Sequence, residues 1–212
     1  MSPLIDISLA LRPEMVTWPE SAGMTVERTK SFERGDGVTV SRILMDVHCG
    51  THVEAPLHFV DGGSTLDAFA LDTFVGPAYV ASVGLATSIG PSDLEAANIP
   101  QGTERLLLRT ANSEPSARGA AAFQPTFAAL SRAGAEWVVG RRIRLIGADY
   151  LSVARFDQAA ETHRVLMAAG IAILEGLDLG EVAAGSYRLI CTPLRIDNVE
   201  AAPARALLEP AS

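Results

Sequence analysis

The eleven residues HCGTHVEAPLH at positions 48–58 constrain this chain more than any other stretch. Gly50, the β-branched Thr51 and Val53, and Pro56 make the stretch a poor helix, so it is expected to be extended. In a straight strand His48, His52 and Glu54 point to one face, yet four residues span about 13 Å, too far for two imidazoles to meet at one ion. The chain must bend between them. Gly50 is the residue that can bend it, by taking a backbone conformation closed to residues with a Cβ. Pro56 stiffens the exit and sends His58 along a different path, close to the cluster.

Neutral imidazole and carboxylate are the ligands that borderline divalent metals such as zinc or manganese accept, so His48, His52 and Glu54 form a candidate metal site. A single histidine in apolar surroundings is more often a hydrogen-bonded core residue than a ligand. Three of the chain's four histidines within eleven positions is another matter. Burying them for structure alone would demand several polar partners.

With 48% hydrophobic and 20% charged residues, the chain is expected to fold as one domain over residues 1–212. A net charge of −8 and a pI near 5.0 argue against a nucleic-acid partner. The dense basic run, Arg141, Arg142 and Arg144, reads as a solvated helix-to-strand turn. No apolar run reaches the roughly 20 residues a membrane helix needs, and MSPLIDISLALRPEM at the start lacks a basic leader region. A soluble, cytoplasmic protein without a membrane partner is therefore expected. Cys49 and Cys191 make no disulfide framework. The Cys49 side chain should point away from positions 48 and 50, which favours packing over a ligand or nucleophile role.

Along the chain, residues 4–11 alternate weakly and suggest an opening strand before Arg12-Pro13. Trp18 lies in a proline-flanked loop, where it is either a substrate-stacking platform or a hydrophobic plug. Residues 23–32 read as an edge strand, and 38–47 as a strand that delivers the histidine stretch at its C-terminal end. Asp61-Gly62-Gly63-Ser64 is a turn by composition. Residues 76–83 and 105–109 read as buried strands, the latter with leucines 106–108 covered on both faces. Between them, Ser92 and Glu95 have the spacing of a capping box for a short helix. The polar segment 110–122 reads as a surface loop rather than a lid.

From Pro125 the spacing of Phe127, Leu130, Ala133 and Trp137 predicts a helix, followed by a strand over 143–148. A helix over 160–169 closed by Gly170, a strand over 171–174 and a long final strand over 187–196 complete the pattern. Strands dominate the first half and helix–strand alternation the second. The expected class is α/β or α+β with a mixed sheet in a single domain.

His163 falls in the first turn of the helix over 160–169, where the partial positive charge of the N-terminus is expected to keep the imidazole neutral, the state that binds metal. Twelve residues on, Glu175 follows the apolar IAIL and precedes Gly176. It is either a buried charge with a partner or a surface turn residue. On the residues alone the turn is favoured.

The pattern HxGTHxxAPxH, with H-x11-E-G far downstream, resembles the metal-dependent cyclase family that includes bacterial kynurenine formamidases and isatin hydrolases. The resemblance extends over nearly the whole chain, through LIDIS at the start, Trp-Pro at 18–19, IGADYLS at 146–152, ILEGLDL at 173–179 and TPLRI at 192–196. It implies a swivelling β/α/β fold and a homodimer or higher homo-oligomer. It also implies two divalent ions per subunit, Zn2+ or Mn2+. His48 and His52 would bind one, His163 the second, and Glu54 and Glu175 would bridge or share them. His58 would be the general acid/base, and Trp18 matches an aromatic of the substrate pocket. The chain departs from the family at Glu54, where formamidases usually carry Asp. The added methylene moves the carboxylate by about 1.5 Å.

The implied activity is hydrolysis of an amide C–N bond by metal-activated hydroxide, on an N-formyl arylamine such as N-formylkynurenine or on a cyclic amide. Several alternatives stand beside it. One is a metal-dependent small-molecule binding protein that has lost catalysis, or a hydrolase or dehydratase of the family with another small substrate. The second is a thiol or serine hydrolase built on Cys49 or Ser152, which no nucleophile-elbow motif supports. The third is a purely structural metal site.

Overall fold

The computed structural model of the protein describes residues 4–118 and 122–211. The opening alternation yields only β1 (Ile5–Asp6), shorter than the expected strand over 4–11, because its partner strand gives most of that edge to another segment. Next come β2 (Met24–Lys30) and β3 (Val40–Met45), which pair with each other and not with the main sheet. Segment 23–32 is therefore one arm of a two-stranded ribbon rather than an edge of the sheet. Most of its residues are exposed.

The histidine stretch continues past a turn into a separate strand, β4 (His52–Glu54). The chain then runs through β5 (Val75–Ser82), β6 (Ser88–Ile89), α1 (Pro91–Ala96), β7 (Arg105–Arg109), α2 (Pro115–Arg118), β8 (Ala129–Leu130), α3 (Arg132–Gly140), β9 (Leu145–Ala148), α4 (Ala159–Ala168), β10 (Ala172–Glu175), β11 (Gly185–Pro193) and β12 (Ala201–Pro210).

Several boundaries differ from the sequence expectation for identifiable reasons. Helix α1 is capped two residues earlier, at Gly90, than the Ser92/Glu95 spacing suggests. Pro91 takes the first helical position, where its missing N–H costs nothing, and Asp93 Oδ2 accepts the Gly90 N–H at 2.8 Å. Helix α3 begins at Arg132 rather than near Pro125, because the Ser131 hydroxyl accepts the Gly134 N–H and sets the N-cap. Phe127 packs instead on Trp18, and Leu130 pairs in parallel with β6. Segment 110–122 holds a 3-10 turn at Ala111–Ser113 and α2, with 119–121 outside the described residues. Strand β11 is not the last, since β12 turns back along it.

The main sheet closes on itself. Its order is β12-β11-β5-β7-β9-β10-β4 and back to β12, with β5, β7, β9 and β10 parallel and the rest antiparallel. One edge of β12 is divided between two partners. Ala201, Ala202 and Pro203 pair with Glu54, Val53 and His52, while Leu207 and Leu208 pair with β1.

Because side chains alternate along a strand, the barrel separates two cores. Val53, Leu107, Leu145, Leu174 and Leu189 fill the interior. Leu106, Leu108, Ile146 and Ile173 face outward beneath Leu94 of α1, Ala135 and Val138 of α3, and Leu166 and Met167 of α4. Leucines 106–108 are thus covered on both faces, as their run suggests. The same alternation places the chemistry. With Val53 and Leu174 turned inward, His52, Glu54 and Glu175 must lie on the outer face, in a layer that α4 covers.

Candidate metal centre

Gly50 adopts φ +70°, and the bend it makes brings the His48 and His52 ring centroids to 5.0 Å. The contact that secures the bend comes from Gly176, at φ +69°, directly after β10. A Cβ at position 176 would collide with the Gly50 carbonyl. That carbonyl accepts the His52 Nδ1–H at 2.9 Å, so the glycine at 176 leaves room for the group that orients His52. Thr51 ties the two segments, its hydroxyl donating to the Gly176 carbonyl and accepting the Leu9 N–H.

The same device recurs at His163, whose Nδ1 donates to the Ala159 carbonyl one turn back in α4 at 2.7 Å. A carbonyl only accepts, so both rings carry their neutral-state proton on Nδ1 and turn an Nε2 lone pair into the site. His52 Nε2 lies 3.5 Å from Glu54 Oε1 and 3.6 Å from Glu175 Oε2. His163 Nε2 lies 3.2 Å from Glu175 Oε1 and 3.5 Å from Glu54 Oε2. Glu175 also accepts the Val153 N–H at 2.7 Å. It is a buried, partnered carboxylate and not the surface turn residue its local sequence favours.

Glu54 has a second set of neighbours. Its Oε1 is 2.9 Å from His48 Nδ1 and 3.6 Å from His58 Nε2, and the His48 and His58 rings lie 4.2 Å apart. Two sets of three close ligand atoms result, His48/Glu54/His58 and His52/Glu54/Glu175, with Glu54 in both. The structure therefore gathers every histidine of the chain around two carboxylates. It places His48 closer to His58 than to His52.

Electrostatics shows what this donor set lacks. Burial alone would pull His163 down, but the Glu175 hydrogen bond and the charges of Glu54 and Glu175 push it up to about 9. Burial likewise pulls His52 down, but Glu54 and Glu175 outweigh it and raise this imidazole above its ordinary value. Burial would raise Glu54, yet His48 at 2.9 Å and the nearby His52 and His163 imidazoles hold it well below the usual carboxylate range. The helix N-terminus is therefore not what sets the charge of His163. His163 is the fifth residue of α4, beyond the first turn, and two carboxylates outweigh the dipole. Two buried acids that draw a proton onto an imidazole would be satisfied equally by a cation. His52 Nε2 and Glu54 Oε2 are buried without a hydrogen-bond partner among the described residues, which is what ligand atoms would show. The residues fit a divalent metal.

His58 is a different case. Its pKa is lowered to about 4, first by burial and further by His48 and His163, against the pull of Glu54. It is neutral at pH 7 and free to accept a proton. Phe59 packs on both sides of this arrangement, stacked on His163 at 4.4 Å and edge-on to His58 at 4.3 Å.

The cluster forms the floor of a cavity of about 830 Å³. Trp18 and Phe156 line it above the ligands, and Trp18 contacts Phe123, Phe127 and Phe156 at centroid distances of 5.2, 6.3 and 5.3 Å. Trp18 is thus packed into an aromatic group and also lines the cavity. Cys49 is buried against Met15, outside the cavity lining, its thiol pushed up by burial and by Asp46. Sequence reasoning missed Phe59, Phe156 and Glu200, which also line the cavity. None sits in a spacing pattern. Only the position of Phe59 directly after His58 offered a signal.

Comparison with known proteins agrees with this architecture. Residues 5–155 match the cyclase family model, described as "Putative cyclase". A kynurenine formamidase of Bacillus thuringiensis is 37% identical over 208 residues, covering 97% of each chain. A solved structure described as a potential metal-dependent hydrolase with cyclase activity superposes with a TM-score of 0.83 at 32% identity, over 97% of this chain and 96% of that one. Isatin hydrolase A of Labrenzia aggregata shares the fold, with a TM-score of 0.79 at 23% identity over 97% of this chain and 93% of that one.

Proposed function

This chain belongs to the cyclase family, and from that premise we propose that it is a metal-dependent hydrolase of an amide C–N bond whose substrate is an N-formyl arylamine of the N-formylkynurenine type. The observation that carries the reading is the pair of Nε2 atoms of His52 and His163, each locked by a backbone carbonyl and turned toward Glu54 and Glu175 under an aromatic-walled cavity. We assign the metal-ligand role to His48, His52, Glu54, His163 and Glu175. We assign two ions per subunit, Zn2+ or Mn2+, a count supported by the place of Glu54 between His48 on one side and His52, His163 and Glu175 on the other, despite its extra methylene.

When bound, a divalent cation supplies Lewis acidity to a carbonyl and lowers the pKa of water from about 15.7 towards 7. The chain's residues do the rest. His58, neutral and beside Glu54, accepts the proton of the attacking water and passes it to the leaving nitrogen. Formyl–nitrogen cleavage then consumes one water and releases formate and the arylamine. Trp18 and Phe156 hold the aryl ring, and Phe59 keeps His58 and His163 in place.

Among the described residues no helix is long and apolar enough to cross a membrane. We place the enzyme in the cytoplasm as one domain, working as a homo-oligomer. The exposed β2–β3 ribbon, whose Val26, Ile43 and Leu44 are uncovered, supports that assembly. The test is hydrolysis of formylanilides, isatin and simple lactams by protein reconstituted with zinc or manganese. Formate release from a formylanilide, lost on chelation and restored by metal, is expected. Tight ligand binding with no product under either metal would instead make it a binding protein.

A further inference from the structure

Three of the four histidines have one ring nitrogen whose role the structure settles or leaves free for proton transfer. His48 is the exception. Its Nδ1 meets Glu54 Oε1 at 2.9 Å, whereas its Nε2 is buried without a hydrogen bond. The acid nearest that nitrogen is Glu200, whose Oε1 lies 3.4 Å away, slightly beyond a formed hydrogen bond. Glu200 is not a chance surface neighbour. Its carbonyl accepts the Ala55 N–H at 2.8 Å and the next residue, Ala201, pairs with Glu54, so the closure of the barrel sets Glu200 beside the ligand strand. Its side chain remains about one-third exposed and lines the same cavity.

We infer that Glu200 is a positioning residue for His48: it accepts the Nε2–H and thereby commits this ring to present Nδ1 to the ion, the reverse of His52 and His163. The Gly50 and Ala159 carbonyls fix the other two rings through Nδ1. Among the described residues no carbonyl does this for His48. A carboxylate behind a ligating imidazole fixes its tautomer and raises its basicity. The inference rests on the metal-site reading given above and deepens it, by assigning a role to a residue outside the ligand set.

The experiment uses the full chain and zinc alone. Calorimetric titration compares wild type with Glu200→Ala, Glu200→Gln and Glu175→Ala, and long-range 1H–15N spectra of the zinc-loaded protein report which nitrogen of each ring holds metal. Nδ1 coordination at His48, with Nε2 coordination at His52 and His163, is expected. Glu200→Ala should weaken one zinc by about 10- to 100-fold. Glu200→Gln, whose amide oxygen still accepts, should recover most of that loss, and metal-free unfolding of both should match wild type because the side chain is partly exposed. Nε2 coordination at His48, or zinc affinity of Glu200→Ala within twofold of wild type, overturns the inference. If Glu175→Ala also keeps full zinc, the metal-site reading fails with it. If only Glu175→Ala loses zinc, the role of Glu200 alone is refuted.

Discussion

Glu54 divides the centre into two unlike halves. On one side His52, His163 and Glu175 have side chains no more than 3% exposed, and their outer atoms are held by main-chain groups of Gly50, Ala159 and Val153. On the other side His48, His58 and Glu200 are 26%, 31% and 35% exposed and touch one another mainly through side chains. A ring fixed by backbone cannot reorient without local unfolding, whereas a ring fixed by side chains can. The buried half is therefore part of the fold, and the open half is where the proposed mechanism handles protons and substrate.

The sharpest way to break this contrast is Glu175→Ala. It strips the Val153 N–H and the His163 imidazole of their acceptor, and loss of one partner of a buried pair costs about 3–5 kcal/mol. Denaturant unfolding of the metal-free variant should show that loss, and elemental analysis should find the metal reduced. If stability is unchanged, the buried half is not structural. His58→Ala tests the open half. Turnover should fall at least about 100-fold, the lower range for a lost acid/base, while metal content and unfolding midpoint stay near wild type. Retained turnover would remove His58 from the mechanism. The smallest expected effect is that of Glu54→Asp, which withdraws the shared carboxylate by about 1.5 Å. It cannot keep both the 2.9 Å approach to His48 and the 3.5 Å approach to His163. Competition with a chelator should show roughly tenfold weaker binding in one half and little change in the other, and equal weakening of both would mean that the halves are not distinct.

What the sequence disclosed follows the same division. The bend at Gly50, the exit at Pro56 and the inward-facing Val53 are local, so the disposition of His52 and Glu54 could be read from spacing. The buried state of Glu175 could not, because its neighbours come from β4, about 120 residues earlier, and IAILEG alone fits a strand ending in a turn. Strand β12 was hidden by composition. AAPARALLEP carries two prolines, yet Pro203 opposes His52 and Pro210 opposes Tyr187, where the short or terminal pairing tolerates them. Glu200, just before β12, was hidden with it. Phe127 and Leu130 fit a helical period although the helix starts only at Arg132. Their burial serves an aromatic cluster and a two-residue strand pair instead.

The three-residue strand β4 is also the seam of the barrel, joined on one side to residues 173–175 and on the other to 201–203. Contacts so distant in sequence form late, since a long loop must close before they reward the chain. The side chains proposed as ligands on that seam, His52 and Glu54, cannot converge with Glu175 until it is stitched. An ion that binds only the converged state draws the folding equilibrium towards it by mass action. The ion would then act as a checkpoint on chain maturation as well as an instrument of catalysis, and the protein's lifetime in a cell would rise and fall with the supply of metal.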